Sequence, residues 1–505
     1  MAGADEPIWY SKGLADLSHL RLDSGSDTPL YKQLAANIAS LIHNGDLPPG
    51  RKLPPTRELA GQLGLNRATV SAAYSVLDRA ALIEGHVGRG SFVAERSLIP
   101  ARSQTDWDAI LSSPEQALPP AANVDISFAN SRPACDAFPL AQFRRLAKQV
   151  IDSEEASGIL QLGSPLGYAP LRRYLLERSA ASGMAQPGDD LLITNGCQQA
   201  LDLVARLFAS DRQSVVLEDP GYHGLLRVFS RAGANLIPVK VDAAGMDTEA
   251  LDETLERHRP RLLVVTPSFQ NPTGATLPLE RRKRIVHLAQ RLGVVLVEND
   301  IYSELRYHGK SLPRLKALDE SGNTILLGSY SKVSFPGLRV GWVLGPRAVI
   351  ARLADLKQIT DLHSDQLSQA VLLRFAESGE LDRHVEKTRV SGAERLDAAL
   401  RACARYLPAG STYTRPEGGM NLWVELPAPL TAESVLHEAE ERGVSFMPGR
   451  YFSARPAHSR GLRISFAGLA PRQITRGLQI IGDVAREQLA MNASSANSQS
   501  AAVLV

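Results

Sequence analysis

Gly328-Ser329-Tyr330-Ser331-Lys332-Val333-Ser334-Phe335-Pro336-Gly337-Leu338-Arg339-Val340-Gly341-Trp342 is the stretch whose reading decides the fold. Residues 325–328 and 340–344, at its two ends, read as short buried strands. Between them lie hydroxyls, one lysine, a Pro-Gly break and an arginine seven residues past the lysine. A lysine on a tight connection beside apolar strands is placed to lose hydration, which favours the uncharged amine. An uncharged amine is what a Schiff base with an aldehyde cofactor requires. Ser329, Ser331 and Arg339 add two hydroxyl donors and a bidentate fork, the groups that grip a phosphate.

Outward from this stretch the pattern alternates. Short apolar runs at 191–194, 214–217, 235–239, 261–265, 294–297 and 324–327 are separated, for the most part, by helical stretches at 198–208, 225–232, 248–257 and 279–291. Such alternation predicts an α/β unit, a mostly parallel sheet with helices on both faces. Residues 347–377 and 381–405 read as long helices, and 420–425, 444–447 and 462–466 as strands of a smaller C-terminal α+β subdomain. The small, polar, alanine-rich segment 491–505 reads as a disordered tail.

In a sheet of this kind ligands sit at the carboxyl ends of the strands. Asn195-Gly196-Cys197-Gln198 lies where one strand turns into a helix, so its free N–H groups form an anion site. Asp219-Pro220-Gly221-Tyr222 follows the next strand, and Gln270-Asn271-Pro272-Thr273-Gly274 a later one. The lysine segment, S-x-S-K-x-x-x-P-G-x-R-x-G-W, together with these landmarks in the same order, resembles the fold-type I aminotransferases. The resemblance implies a mostly parallel seven-strand-type sheet and pyridoxal 5′-phosphate held on Lys332. It implies a phosphate site on Arg339, Ser329, Ser331 and the turn Gly196, Cys197 and Gln198. Tyr222 would stack on the ring, Asn271 and Tyr302 would share its 3-hydroxyl, and Arg463 would bind a substrate or effector carboxylate.

Two departures from that family are visible. Its members commonly place an aspartate three residues before the tyrosine, facing the ring nitrogen. Here Asn299 has that spacing and Asp300 comes one later, a slip that flips the side chain to the other face of a continuing strand. The family's cross-dimer tyrosine is replaced by Leu162, which cannot donate.

The N-terminal part has a different texture. Leu30, Leu34, Ile38, Leu41 and Ile42 recur at helical spacing up to Asn44-Gly45. Leu53-Pro54-Pro55-Thr56 opens a second helix with Thr56 as its cap, running 57–63 to Gly64. Asn66 caps a third over 67–80, and 82–84 and 91–93 read as strands around His86-Val87-Gly88-Arg89-Gly90. Three helices and a glycine-tipped hairpin make a winged helix-turn-helix. Its third helix presents Arg67, Thr69 and Ser71 to a groove, Arg57 suits a phosphate, and Arg89 sits on the wing. From Leu30 to Val93 there are seven Lys/Arg against four Asp/Glu, a local excess in the right place. The segment is similar to the GntR-type winged helix, although that family often carries arginine where Ser71 stands.

Composition constrains the remainder. A chain of 505 residues exceeds the size of one core. Its 44% hydrophobic and 22% charged residues are ordinary for a globular protein, and a net charge of +2 signals no bulk attraction to nucleic acid. Cys135, Cys197 and Cys403 are too scattered for a disulfide framework or structural zinc, so no metal is expected. Residues 1–22 lack the apolar core of a signal peptide, and no apolar run suits a membrane span, so a cytoplasmic protein is expected. The expected domains are an extension at 1–28, a winged helix at 29–96, a Pro-rich linker at 97–122, the aminotransferase-like domain at 123–490 and the tail at 491–505. The combination resembles the MocR subgroup of GntR-type regulators. It implies a homodimeric transcription regulator that binds double-stranded operator DNA and senses pyridoxal phosphate or a small amino compound. The rival expectation is a working aminotransferase with an accessory DNA-binding arm.

Overall fold

The structure is a computed structural model; it describes residues 14–26, 28–86, 89–94, 107, 123–210 and 212–502, the last eight as backbone alone. Two compact units divide at residue 117. The expected linker, apart from Trp107, and the wing tip Val87-Gly88 lie outside the described residues.

In the first unit, helices Leu30–His43, Thr56–Leu63 and Arg67–Arg79 precede an antiparallel hairpin, Ile83–His86 with Gly90–Val93. Leu34, Ile38, Ile42, Leu59, Val70, Ala73 and Leu77 close one core, each large side chain contributing about 1.5–3 kcal/mol by leaving water. Asn66 caps the third helix, accepting the Ala68 N–H at 2.9 Å. Gly64 ends the second in the left-handed region at φ 64°, which costs glycine nothing. Two expectations need correction. Thr56 is the first helical residue rather than the cap: Pro55 holds that position, its carbonyl accepting from Glu58 and Leu59. Nor is the whole N-terminal extension outside the domain. Ala15 and Leu17 are buried in its core, and the Ala15 N–H donates to Lys52 O at 3.0 Å.

The second unit is built on an eight-stranded mixed sheet. Its order is Asp189–Thr194, Gly341–Pro346, Thr324–Ser329, Val295–Asp300, Leu262–Val265, Ser214–Asp219, Asn235–Asp242, Gly245–Met246. The central five pair in parallel, and Gly341–Pro346 is antiparallel to both neighbours. The seven expected strands are joined by an eighth, two residues long, added at the edge by a hairpin. Helices cover both faces, so the central strands carry runs of successive apolar residues, such as Val215-Val216-Leu217 and Leu262–Val265, rather than a strict alternation. A four-stranded antiparallel sheet containing Asn421–Glu425 and Gly461–Ser465 forms the smaller subdomain.

Two further elements differ from expectation. The helix read over 347–377 is broken into Arg347–Asp361 and Gln366–Glu377, with Leu362 at φ 59° between them. Asp361 accepts from Asn195, Gln199 and Lys357, and Asp365 caps the second helix through Leu367 and Ser368 N–H. These polar ties outweigh the continuous apolar period. The segment expected to be a disordered tail instead continues the helix Pro471–Ala502. After Gly482 it holds no glycine or proline and is rich in alanine, the best helix former.

Candidate functional site

A cavity of about 540 Å³ opens at the carboxyl ends of the parallel strands, within the size range of small-molecule sites. Lys332 enters it from the turn after Thr324–Ser329, donates to Ser131 O at 2.5 Å and lies 5.8 Å from the Tyr302 ring centre. Ser329 Oγ accepts the Ser331 N–H at 3.1 Å, which fixes the turn. Arg339 adopts φ 54° after the Pro336–Leu338 turn. That conformation carries its guanidinium back to Ser331 Oγ (3.4 Å) and Asn195 O (3.3 Å).

Opposite Arg339, Gly196 begins the helix Cys197–Phe208 at φ 77°. A Cβ there would collide with the Arg339 guanidinium, and one on Gly341 would meet the Gly196 backbone. Two backbones and a guanidinium therefore converge where only glycine fits. The first-turn N–H groups of a helix have no intrahelical acceptor, so this corner joins free donors to a positive charge and suits a phosphate.

The remaining walls carry the other expected residues. Tyr222, whose hydroxyl burial pushes up to about 12, lines the cavity beside His223, with ring centres 4.8 Å apart. Asn271 Nδ2 donates to the Tyr302 hydroxyl at 3.4 Å, and its Oδ1 accepts from Arg463 at 3.0 Å. Arg463 is 2% exposed, bonds also to Ala129 O, and has a buried Nε without a partner. Burial lowers its guanidinium to about 10. A cation kept this dry beside an open cavity is suited to a carboxylate.

The strand Val295–Asp300 separates the two acidic-position candidates. Asn299, 2% exposed, lines the cavity, while Asp300 faces the other way and pairs with Arg314 Nε at 2.8 Å. Glu298 shares that far face, accepting from Leu315 and Lys316 N–H. Alternation along the strand decides the matter: a carboxamide, not a carboxylate, looks into the site. Leu162 is 74% exposed and Leu160, two residues before it, 69%.

Several residues at or behind the site were not singled out by sequence reasoning. Ser131 holds Lys332 through a main-chain oxygen, which no side-chain pattern can signal. Burial and the nearby Arg463 and Arg227 push the His223 imidazole down to about 4, so it is neutral in the site near pH 7. Glu218 and Thr266 lie behind Asn299. An acid inside the run Val215-Val216-Leu217-Glu218 of a strand covered on both faces was the available signal.

On the winged helix, Arg57, Arg67, Ser71 and Arg89 are exposed and Thr69 half-buried. Among the described residues no carboxylate pairs with Arg57, Arg67 or Arg89. Arg67 and Thr69 stand on the first turn of the Asn66-capped helix, and Arg89 adjoins the strand that begins at Gly90. Cations without internal partners on one helix–wing unit are what a phosphate backbone requires.

Comparison with known proteins accounts for both units. Residues 135–481 match the family of class I and II aminotransferases, and residues 30–93 match the gntR family of bacterial regulatory proteins. A 2-aminoadipate transaminase of Thermus thermophilus is 38% identical over 72% of this chain and 91% of its own length. The solved structure of Pyrococcus horikoshii kynurenine aminotransferase, in complex with PMP, superposes with a TM-score of 0.71 at 33% identity, covering 73% of this chain and 92% of that one. The probable rhizopine catabolism regulatory protein MocR of Rhizobium meliloti is 31% identical over 91% of this chain and 94% of its own. Its match spans both units, as the transaminases' do not, and the chain belongs to the GntR-type regulators of the MocR kind, which join a helix-turn-helix domain to a class I and II aminotransferase domain.

Proposed function

We propose that this chain is a transcription regulator that binds pyridoxal 5′-phosphate on Lys332, senses that cofactor or an amino compound beside it, and adjusts the grip of its winged helix on operator DNA. One observation carries the reading: a single cavity gathers a lysine amine, a glycine–arginine corner suited to a phosphate, and Tyr222, Asn271 and Tyr302 on its walls. The donor set fits the cofactor group by group, and the unpartnered Nε of Arg463 remains for a carboxylate. When bound, pyridoxal phosphate supplies an aldehyde that condenses with amines and a ring that withdraws electrons. Lys332 then provides the amine, Arg339 and the Gly196 turn hold the phosphate, and Asn271 with Tyr302 orient the ring hydroxyl. A ligand that favours one arrangement of the protein shifts DNA affinity by the coupling energy, typically ~1–3 kcal/mol.

A homodimer belongs to this reading. Leu160 and Leu162 are exposed, the Gln161 carbonyl accepts from Gln366, and the exposed Ile359 and Leu362 precede Gln366 on the broken helix. Apolar surface on the two segments that meet at Gln366 suits a second copy. Action on operator DNA fits a cytoplasmic location. Purified protein incubated with pyridoxal phosphate should gain a visible absorption band, absent in a folded Lys332→Ala variant. A salt-dependent, sequence-specific gel shift should vanish in Arg57→Ala/Arg67→Ala. A colourless wild type rejects the sensing half.

The rival reading, an active aminotransferase, is favoured by Lys332 and Arg463 being in place, and opposed by the neutral Asn299. Multiple-turnover amino transfer from a panel of amino acids decides it. Asn299→Asp should raise any trace of turnover roughly tenfold, the difference of about 1–1.5 kcal/mol between a neutral hydrogen bond and a charge-assisted one.

A further inference from the structure

The turn that presents the phosphate donors is held from behind by a carboxylate 166 residues further along the chain. Asp361 Oδ2 accepts from Asn195 Nδ2 and from Gln199 Nε2, each at 2.8 Å, and its Oδ1 accepts from Lys357 Nζ at 2.9 Å. Gln199 Oε1 in turn accepts the Asn195 backbone N–H at 2.8 Å. Both amides are oriented by this pattern, since oxygens that accept must face NH₂ ends. Asn195 is thereby gripped at its side chain and its backbone N–H, while its carbonyl accepts from the Arg339 guanidinium at 3.3 Å. Gly196 comes next, and Cys197 and Gln198 after it open the helix, carrying first-turn N–H groups.

Unfavourable features meet at this anchor. The carboxylate closes the helix Arg347–Asp361, at the end where the backbone dipole favours cations. Leu362 follows at φ 59° and ψ −60°, and the His363 N–H donates to Asp361 O at 2.6 Å. That is a γ-turn of the rare, strained hand. The Lys357 side chain is fully buried, and burial pushes its ammonium down against the opposing pull of Asp361. Such features persist where the surroundings hold them, and they gather at ligand sites. Here they converge on the Asn195 turn. The Lys357 charge offsets that of the carboxylate, so the anchor can grip two amides without repelling an anion in the corner.

We infer that Asp361 is a positioning residue for the cofactor's phosphate: through Asn195 and Gln199 it sets the Gly196 turn so that free N–H groups and Arg339 converge on one anion. The inference rests on the cofactor reading above. Asp361 and Gln199 are not among the residues that line the cavity, so they act through the turn. Lys332, Tyr222, Asn271 and Tyr302, which serve the aldehyde and the ring, stand on other segments. Loss of the anchor therefore weakens the grip on the phosphate and leaves the grip on the ring.

The test titrates full-length protein with pyridoxal 5′-phosphate and with pyridoxal, which lacks the phosphate, following the visible band. Wild type should bind the phosphorylated form far more tightly. In Asp361→Leu that preference should shrink roughly tenfold or more, the share of one hydrogen bond to a charged group, with the affinity for pyridoxal unchanged. Gln199→Leu should do the same, and the double variant should be no worse than either single one, because both cut one connection. A preference unmoved in both variants overturns the inference. An equal loss for the two ligands also overturns it, and marks Asp361 as a support of the fold alone. If Asp361→Leu fails to fold, Gln199→Leu decides by itself. A wild type without a visible band defeats the cofactor reading instead, a separate outcome.

Discussion

In Arg463→Met a fully buried guanidinium gives way to an uncharged side chain of similar reach, which separates ligand recognition from stability. Burial lowers Arg463 from the ordinary guanidinium range to about 10, so holding the cation dry costs on the order of 3 kcal/mol at 1.36 kcal/mol per unit. Because the folded value lies below the unfolded one, the cost is fully present below about pH 10 and fades as the pH rises toward the unfolded guanidinium's value. Methionine removes it. Against that, Asn271 Oδ1 and Ala129 O lose their donor, and a buried group left unsatisfied costs about 1–3 kcal/mol. The two effects nearly cancel, so the melting temperature should stay within a few degrees of wild type. A ligand carboxylate, in contrast, loses two charge-assisted hydrogen bonds of about 1.5–3 kcal/mol each, so its affinity should fall roughly a hundredfold or more. Amino acids are titrated into the cofactor-loaded protein by absorbance, with scanning calorimetry in parallel. Unchanged affinity for every carboxylate-bearing ligand that binds wild type would refute the role given to Arg463. A large loss of stability would mark it as structural.

Other expectations concern the two units separately. Asn66→Ala removes the cap of the third winged-helix helix and should cost that unit about 1 kcal/mol, seen as a lowered transition attributable to it alone. The unloaded protein should lose stability as pH rises from 6.5 toward 8. Glu218 is raised from 4.5 to about 8, so the native state holds a proton there that the unfolded chain has released. Its share over that window is about 2 kcal/mol, and Glu218→Gln should flatten the slope by that amount in urea titrations. His223, lowered from 6.5 to about 4, acts with opposite sign and only below that window. A slope identical in the variant would show that Glu218 is not the titrating group.

Much of the site was legible because it is contiguous. Ser329, Ser331, Lys332 and Arg339 fall within eleven residues, and the turn that unites them is encoded by Pro336-Gly337 between two apolar strands. The winged helix was legible for a similar reason: Asn66, Gly64 and the 3–4 spacing of Leu34, Ile38 and Ile42 are local signals with local consequences. Thr56 misled because a threonine before a helix is a good cap only where the backbone leaves that position outside, and Pro55 had already taken it. The break at Leu362 was hidden because the apolar period runs through it, while the ties that create it, to Asn195 and Gln199, come from more than 160 residues away.

Asn299 and Asp300 mark the boundary between the two kinds of knowledge. The family resemblance implied that one of them faces the site, since the strand and the Tyr302 spacing are written in the chain. Which one faces the cavity depended on where that strand ends, and the sheet, by pairing Asp300 beside Gly328, carries the alternation through both. The same packing turned Glu218 from one more acid in an apolar run into a buried group behind the site, held by the Thr266 N–H and Gln270. A chain determines its local turns and periods by itself. Which side chains meet across strands is decided only when the sheet sets register and burial makes every unpaired polar atom expensive.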